Sequence, residues 1–216
     1  MTVSPPVRIA ILDYDAGNLH SAARGLRAAG ASVDILATPA DLHRYDALVL
    51  PGDGAFDPAM LHLEKQGFVD PLRAALEQGQ PLLGICLGLQ LLFEGSEEGS
   101  RPGLGVIPGL VKRFRPEPGL TIPHMGWNQL HWTQPTPLWQ GLAPGTWAYF
   151  VHAYYGDPRD PAWIAATVTH GSQTVTAAIA QGGIMATQFH PEKSGSQGLK
   201  MLDNFVSFVR HRLVGQ

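Results

Sequence analysis

The chain has 216 residues, a formal net charge of −3, and 44% hydrophobic against 15% charged residues. That length supports one well-buried domain, and a mildly acidic balance without any Lys/Arg cluster argues against a nucleic-acid partner. No run reaches the roughly 20 apolar residues of a membrane span, and the single cysteine leaves no intramolecular disulfide to form.

The start, Met1 to Pro6, lacks the basic segment and apolar run of a secretory signal. Residues 1–6 are therefore expected to be a short flexible tail on a single domain spanning 1–216, in the reducing cytoplasm. Val7–Leu12 is an apolar run of strand length, broken only by Arg8. Asn18 is suited to cap a helix reaching Ala29, which Gly30 stops. Ser32–Leu36 and Asp46–Leu50 read as the next strands, and Pro51-Gly52-Asp53-Gly54 as a glycine-rich turn. A helical region follows from Phe56 to Gln78, with breaks near Gly67 and Pro71. Pro81–Ile85 is a fourth buried strand, running into Cys86 and a helical pattern over Leu87–Phe93. Such alternation predicts parallel pairing with right-handed crossovers, hence a doubly wound sheet over residues 1–95.

The second half is richer in β-branched and aromatic residues. Leu110–Phe114, Asn128–Trp132, Trp147–Tyr155, Trp163–Thr169, Thr174–Ala180 and Ile184–Phe189 read as strands. Gly171-Ser172 and Gly182-Gly183 mark hairpin turns. Leu199, Leu202, Phe205, Val206, Val209 and Leu213 recur at helical spacing and predict a closing helix with that stripe in the core. The expected fold class is α/β: a mostly parallel central sheet with flanking helices and an added antiparallel β portion.

Gly84-Ile85-Cys86-Leu87-Gly88 has the G-x-nucleophile-x-G form of a nucleophile elbow, with a strand before it and a helix after. The turn sets the sulfur at a helix N-terminus, which favours thiolate, and aims the Leu87 amide at the place where an oxyanion would form. A second oxyanion donor, from Asp53 or Gly54, suits the Pro-Gly-x-Gly loop, where glycine lets backbone approach a ligand. His190 ends an apolar strand; Pro191 turns the chain out of the sheet, leaving Glu192 close enough to hold the imidazole. Nucleophile, base and orienter are then all present. Each motif alone has an ordinary reading: a small buried hydrophobe, a βα turn, a solvated bend. Two independent motifs required by one reaction outweigh it. A lone Cys with scattered His residues has no metal-ligand spacing, so no metal or cofactor is expected.

With these residues the chain resembles the class I (triad-type) glutamine amidotransferases, a flavodoxin-like fold. The resemblance rests on Pro51-Gly52-Asp53-Gly54, on Gly84 to Gln90, and on Gln188-Phe189-His190-Pro191-Glu192. Four further blocks, Asp13 to Asn18, Pro123-His124-Met125-Gly126-Trp127-Asn128, Tyr149 to Tyr155 and Lys193-Ser194, are similar to the family of glutaminase subunits of imidazole glycerol phosphate synthase. The resemblance implies that Cys86 is the thiol nucleophile, His190 the base and then acid, and Glu192 its orienter. It also implies that Gly52 to Gly54 form a mobile oxyanion strand, that Gln90 contacts the substrate L-glutamine, and that the backbone around Val151, His152 and Ala153 binds its amino-acid end. Asn18, Trp127, Tyr149 and Lys193 are implied near a (β/α)8-barrel synthase partner in a heterodimer of histidine biosynthesis. Three positions depart from the family pattern: Asp15 for glycine, Asp53 for valine, and Ala153 for a hydroxyl residue. On the triad alone, another glutaminase subunit of the class or a free-standing cysteine hydrolase stays open.

Overall fold

The computed structural model describes residues 5–15, 17–39 and 41–215. Residues 1–4 of the expected tail, and Ala16 within the Asp13 to Asn18 block, lie outside the described residues. In chain order the elements are β1 (Arg8–Leu12), α1 (Leu19–Ala28), β2 (Ser32–Leu36), β3 (Ala47–Gly52), α2 (Phe56–Lys65), α3 (Val69–Glu77), β4 (Leu82–Cys86) and α4 (Leu87–Gln90). Then come β5 (Phe93–Ser96), β6 (Ile107–Arg113), β7 (His124–Gln129), β8 (His131–Trp132), β9 (Trp147–His152) and β10 (Tyr154–Pro158). The chain closes with β11 (Ile164–His170), β12 (Gln173–Gln181), β13 (Ile184–Thr187) and α5 (Gly195–Val214).

The central sheet has the order β2-β1-β3-β4-β13-β12-β11-β8. Pairing is parallel from β2 through β13 and antiparallel beyond it. Both faces are covered, which is why β3 and β4, and β1 after its exposed Arg8, read as apolar runs. Ile9, Ile11 and Val49 face α1 and α5 with Leu26, Leu202, Phe205 and Val206. Their neighbours Ala10, Leu12, Leu48 and Leu50 face the other way, against Met60, Leu63 and Leu72 of α2 and α3. Two smaller sheets, β10-β6-β5 and β7-β9, flank the carboxyl end of this core.

Several boundaries differ from the expectation, each for a physical reason. Pro51 and Gly52 continue β3, paired with Ile85 and Cys86, so the glycine-rich turn begins only at Asp53. Gly67, with φ +76, does separate α2 from α3, but Pro71 lies in the first turn of α3, where a missing N–H costs nothing. The helix after Cys86 stops at Gln90. The Leu91 and Leu92 carbonyls accept the Leu104 and Val106 amides, and Phe93 opens β5 against β6. Asn128–Trp132 divides between β7 and β8, and Trp147–Tyr155 divides at Ala153 between β9 and β10, in different sheets. On α5 the stripe from Leu202 to Val209 is buried, whereas Leu199 and Leu213 are exposed.

Candidate functional site

The site stands at the carboxyl ends of the parallel strands, where the sheet hands over to loops. Cys86 ends β4 with φ 55 and ψ −109, a backbone conformation costly for a residue with a Cβ, and Leu87 starts α4 directly after it. The flanking glycines are required by crowding. A Cβ on Gly88 would run into the Leu50 carbonyl oxygen of β3, and one on Gly84 would lie 2.8 Å from the Ala186 Cβ of β13. On the β3 side, Gly52 pairs with Cys86, and a Cβ there would strike the Tyr14 hydroxyl. That hydroxyl donates to the Pro51 carbonyl from a fully buried position, and burial holds the phenol well above its usual range.

His190 follows β13 and leads into the short 3-10 turn Pro191–Lys193. Its backbone is fastened twice: the amide donates to the Tyr149 carbonyl at 3.1 Å, and its carbonyl accepts from Ser194 Oγ at 2.7 Å. Ser194 Oγ in turn accepts the Tyr149 amide at 2.9 Å. His190 Nδ1 lies 2.8 Å from Glu192 Oε1, with side chains 5% and 3% exposed. Burial pulls the imidazole down, but its interactions with Cys86 and Glu192 outweigh that and raise it to about 9. With Nδ1 committed to Glu192, Nε2 is the nitrogen left for chemistry. Glu192 Oε2 is buried with no hydrogen-bond partner among the described residues.

A cavity of about 400 Å³ opens over the sulfur. It brings together Cys86, Leu87, Asp53, Gly54, Gln90, Val151, His152, Ala153 and His190, all expected at the site, and Lys193, expected at the partner interface. Gly52 and Glu192 stand behind this wall, beside Cys86 and His190 respectively. Gly54 has φ +87, and the Asp53 carboxylate is turned aside to accept the Gly17 amide at 3.0 Å. Asp15 has φ 62, a conformation that glycine would hold without strain.

Of the residues expected near a partner, Trp127 and Tyr149 face each other across the β7–β9 pair, ring centroids 6.1 Å apart, with Trp127 52% exposed. Lys193 is exposed at the cavity rim. Asn18 is exposed at the head of α1, its side chain accepting the Ser21 amide at 3.3 Å.

Sequence reasoning missed Glu98, Pro123 and Tyr154 on the cavity wall, and Gln188 beneath it. A Gln two residues before His190, in the otherwise small and apolar run Ile184–Phe189, was the available signal for Gln188, which the structure buries fully. Also unforeseen was a hydrogen-bonded histidine pair that runs back from the wall at His152. His152 Nδ1 donates to the Tyr154 carbonyl at 2.8 Å, and His124 Nδ1 donates to His152 Nε2 at 3.2 Å. Asn128 Nδ2 completes the chain by donating to His124 Nε2 at 3.2 Å. Each bond fixes the tautomer of the next ring, so both imidazoles are neutral. Burial lowers His152 to about 3 and, with help from His170, His124 to about 4. Among the described residues no group of His, Cys, Asp and Glu is arranged to hold a metal ion, and no helix is long and apolar enough to cross a membrane.

A model of the glutamine amidotransferase class-I family matches residues 10–208. The imidazole glycerol phosphate synthase subunit HisH of Synechococcus sp. (strain JA-3-3Ab) is 64% identical over 208 residues, 96% of either chain. The subunit of that name from Nostoc punctiforme (strain ATCC 29133 / PCC 73102) is 58% identical over 206 residues, 95% of this chain and 98% of that one. Two solved structures share the fold. A glutamine amidotransferase superposes with TM-score 0.73 at 21% identity, covering 94% of this chain and 98% of that one. PurLQS from Thermotoga maritima superposes with TM-score 0.75 at 18% identity, covering 94% and 99%. With a family model over nearly its whole length and relatives this similar, the chain belongs to the class-I glutamine amidotransferases.

Proposed function

We propose that this chain is the glutaminase subunit of an imidazole glycerol phosphate synthase, releasing ammonia from glutamine for a separate synthase subunit. The observation that carries the chemistry is the buried 2.8 Å pair of His190 Nδ1 and Glu192 Oε1, set beside a thiol on a strained elbow. The relatives named as subunits of that synthase support the pathway and the need for a second subunit.

In this reading the Cys86 sulfur attacks the side-chain amide carbon of glutamine. The Leu87 amide, with one from Asp53 or Gly54, receives the developing oxyanion. His190 Nε2 carries the proton taken from the thiol to the departing nitrogen, so ammonia leaves and a glutamyl thioester remains. Water then attacks the thioester, His190 accepts its proton, and glutamate leaves as the thiol is restored. At the amino-acid end, Val151, His152 and Ala153 hold the α-carboxylate, while the Glu98 carboxylate and the Gln90 oxygen suit the α-ammonium.

The partner is a (β/α)8-barrel synthase, docked over Asn18, Trp127, Tyr149 and Lys193, and the complex works in the cytoplasm. Free ammonia is mostly protonated at neutral pH, so a sheltered passage between subunits keeps it nucleophilic. The test is steady-state glutamine hydrolysis by the chain alone, with the barrel subunit, and with the barrel subunit and its nucleotide. Turnover is expected to be low in the first state and to rise in the others. Equal turnover in all three would favour a free-standing hydrolase.

A further inference from the structure

We infer that Gln188 is a positioning residue for the Cys86 thiol, an amide donor aimed at the sulfur from the side opposite Gly52. β4 lies between β3 and β13. Gly52 pairs with Cys86 on one side, and Thr187 pairs with Ile85 on the other, so the next residue, Gln188, arrives beside the thiol. Its Nε2 lies 3.8 Å from Cys86 Sγ in the geometry of a donor to sulfur.

The direction of this amide is dictated by its other end. Gln188 is fully buried, where a carboxamide is costly unless its groups are bonded. Gln90 Nε2 donates to Gln188 Oε1 at 3.1 Å and to the Tyr154 carbonyl at 3.0 Å, committing both hydrogens of the Gln90 amide. A flipped Gln188 would set two NH2 groups against each other and turn its oxygen toward the sulfur. The native orientation points N–H at the group that must become an anion. A hydrogen bond to the charged form favours that form, and thiolate is the attacking species. Gln188 thus acts through the sulfur without touching the substrate. The same arrangement leaves only the oxygen of Gln90 to meet a ligand in the cavity.

The consequence for turnover rests on the glutaminase reading, but the contact itself can be tested without substrate, because Cys86 is the only cysteine. The experiment is the pH profile of iodoacetamide alkylation of the full chain as wild type, Gln188→Leu and Gln90→Met. Cooperative melting is checked for each. Gln188→Leu is expected to slow alkylation at neutral pH by about tenfold, the worth of a hydrogen bond to a charged group, and to move the profile to higher pH. Gln90→Met, which removes the group that orients Gln188 and leaves the strand intact, is expected to lie between Gln188→Leu and wild type. Any of these variants that melts cooperatively yet keeps the wild-type profile overturns the inference and leaves Gln188 as packing. Absence of glutamine hydrolysis by the wild-type complex would instead sink the glutaminase reading and leave the alkylation result standing.

Discussion

Asp53 Oδ1 accepts the backbone N–H of Gly17, fastening the segment after β3 to the loop ahead of α1. That loop ends at Asn18, on the face assigned to the partner. Asp53→Ala removes the tie at a cost of about 0.5–1.5 kcal/mol. Exchange of the Gly17 amide is expected to speed up about three- to tenfold, and turnover without the partner to rise while partner-stimulated turnover changes little. Hydrogen exchange read by NMR, together with the ratio of the two rates, checks this; an unchanged ratio would show that the tie exerts no control.

Replacing the proposed nucleophile separates the two halves of the proposed reaction. Cys86→Ala is expected to abolish glutamine hydrolysis while the partner's synthesis from added ammonium salts continues. Glutamine turnover by the purified variant at the wild-type rate would remove Cys86 from the mechanism.

Loss of either supporting side chain should be unequal in effect. His190→Asn removes both proton transfers and is expected to cost at least the 10²–10⁴-fold typical of a positioned acid–base group. Glu192→Gln keeps a hydrogen-bond acceptor for Nδ1 and loses only charge, so a smaller loss in kcat is expected. The same substitution removes one of the interactions that raise His190 to about 9, so the imidazole should titrate at lower pH. NMR titration of the His190 ring, alongside kcat for both variants, tests the assignment. A larger kcat loss in Glu192→Gln than in His190→Asn would reverse the roles.

The buried histidines also predict how stability follows pH. His124 and His152, held at about 4 and about 3, bind fewer protons folded than unfolded as pH falls below 6.5, so acid weakens the fold through that window. His190 works in the opposite sense. Raised to about 9, its contribution is complete below 6.5 and is lost as pH rises through 9. Each group changes stability by at most about 1.4 kcal/mol per pH unit. Urea midpoints are expected to peak near neutral to slightly acid pH and fall on both sides, with a shallower acid limb in His152→Asn. A midpoint that climbed steadily from pH 5 to 9 would contradict this account.

Local signals sufficed where both faces of a strand are buried. Ile9 and Ile11 pack one way and Ala10 and Leu12 the other, so the run is apolar from Ile9 onward and reads as a strand from composition alone. The elbow was equally open to reading, because its glycines answer to crowding within a few residues. Where the outcome depends on distant chain, the signal was absent. Leu91 and Leu92 continue an apolar helical pattern, yet their carbonyls are taken by Leu104 and Val106, and the chain extends into β5. Ala153 carries no turn residue to mark the change of sheet. Its carbonyl accepts the Phe114 amide at 3.1 Å, a contact no local pattern encodes. Gln188 stood inside a recognised motif, but its place beside the sulfur follows from β13 lying next to β4, which spacing along the chain does not reveal.

The position of β13 also sets when the protein becomes an enzyme during its own synthesis. Cys86 is made early, but the neighbour that completes its side of the sheet, and His190 and Glu192 behind it, lie in the closing stretch of the chain. Since domains fold as chain emerges from the ribosome at about 5–20 residues per second, β1 to β4 can pair while the sheet still lacks its fifth parallel member. On the proposed mechanism the thiol therefore waits, unaccompanied by its base, until translation is nearly finished. A nascent or truncated chain that ends before β13 carries Cys86 but neither the His190 nor the Glu192 that the proposed reaction requires.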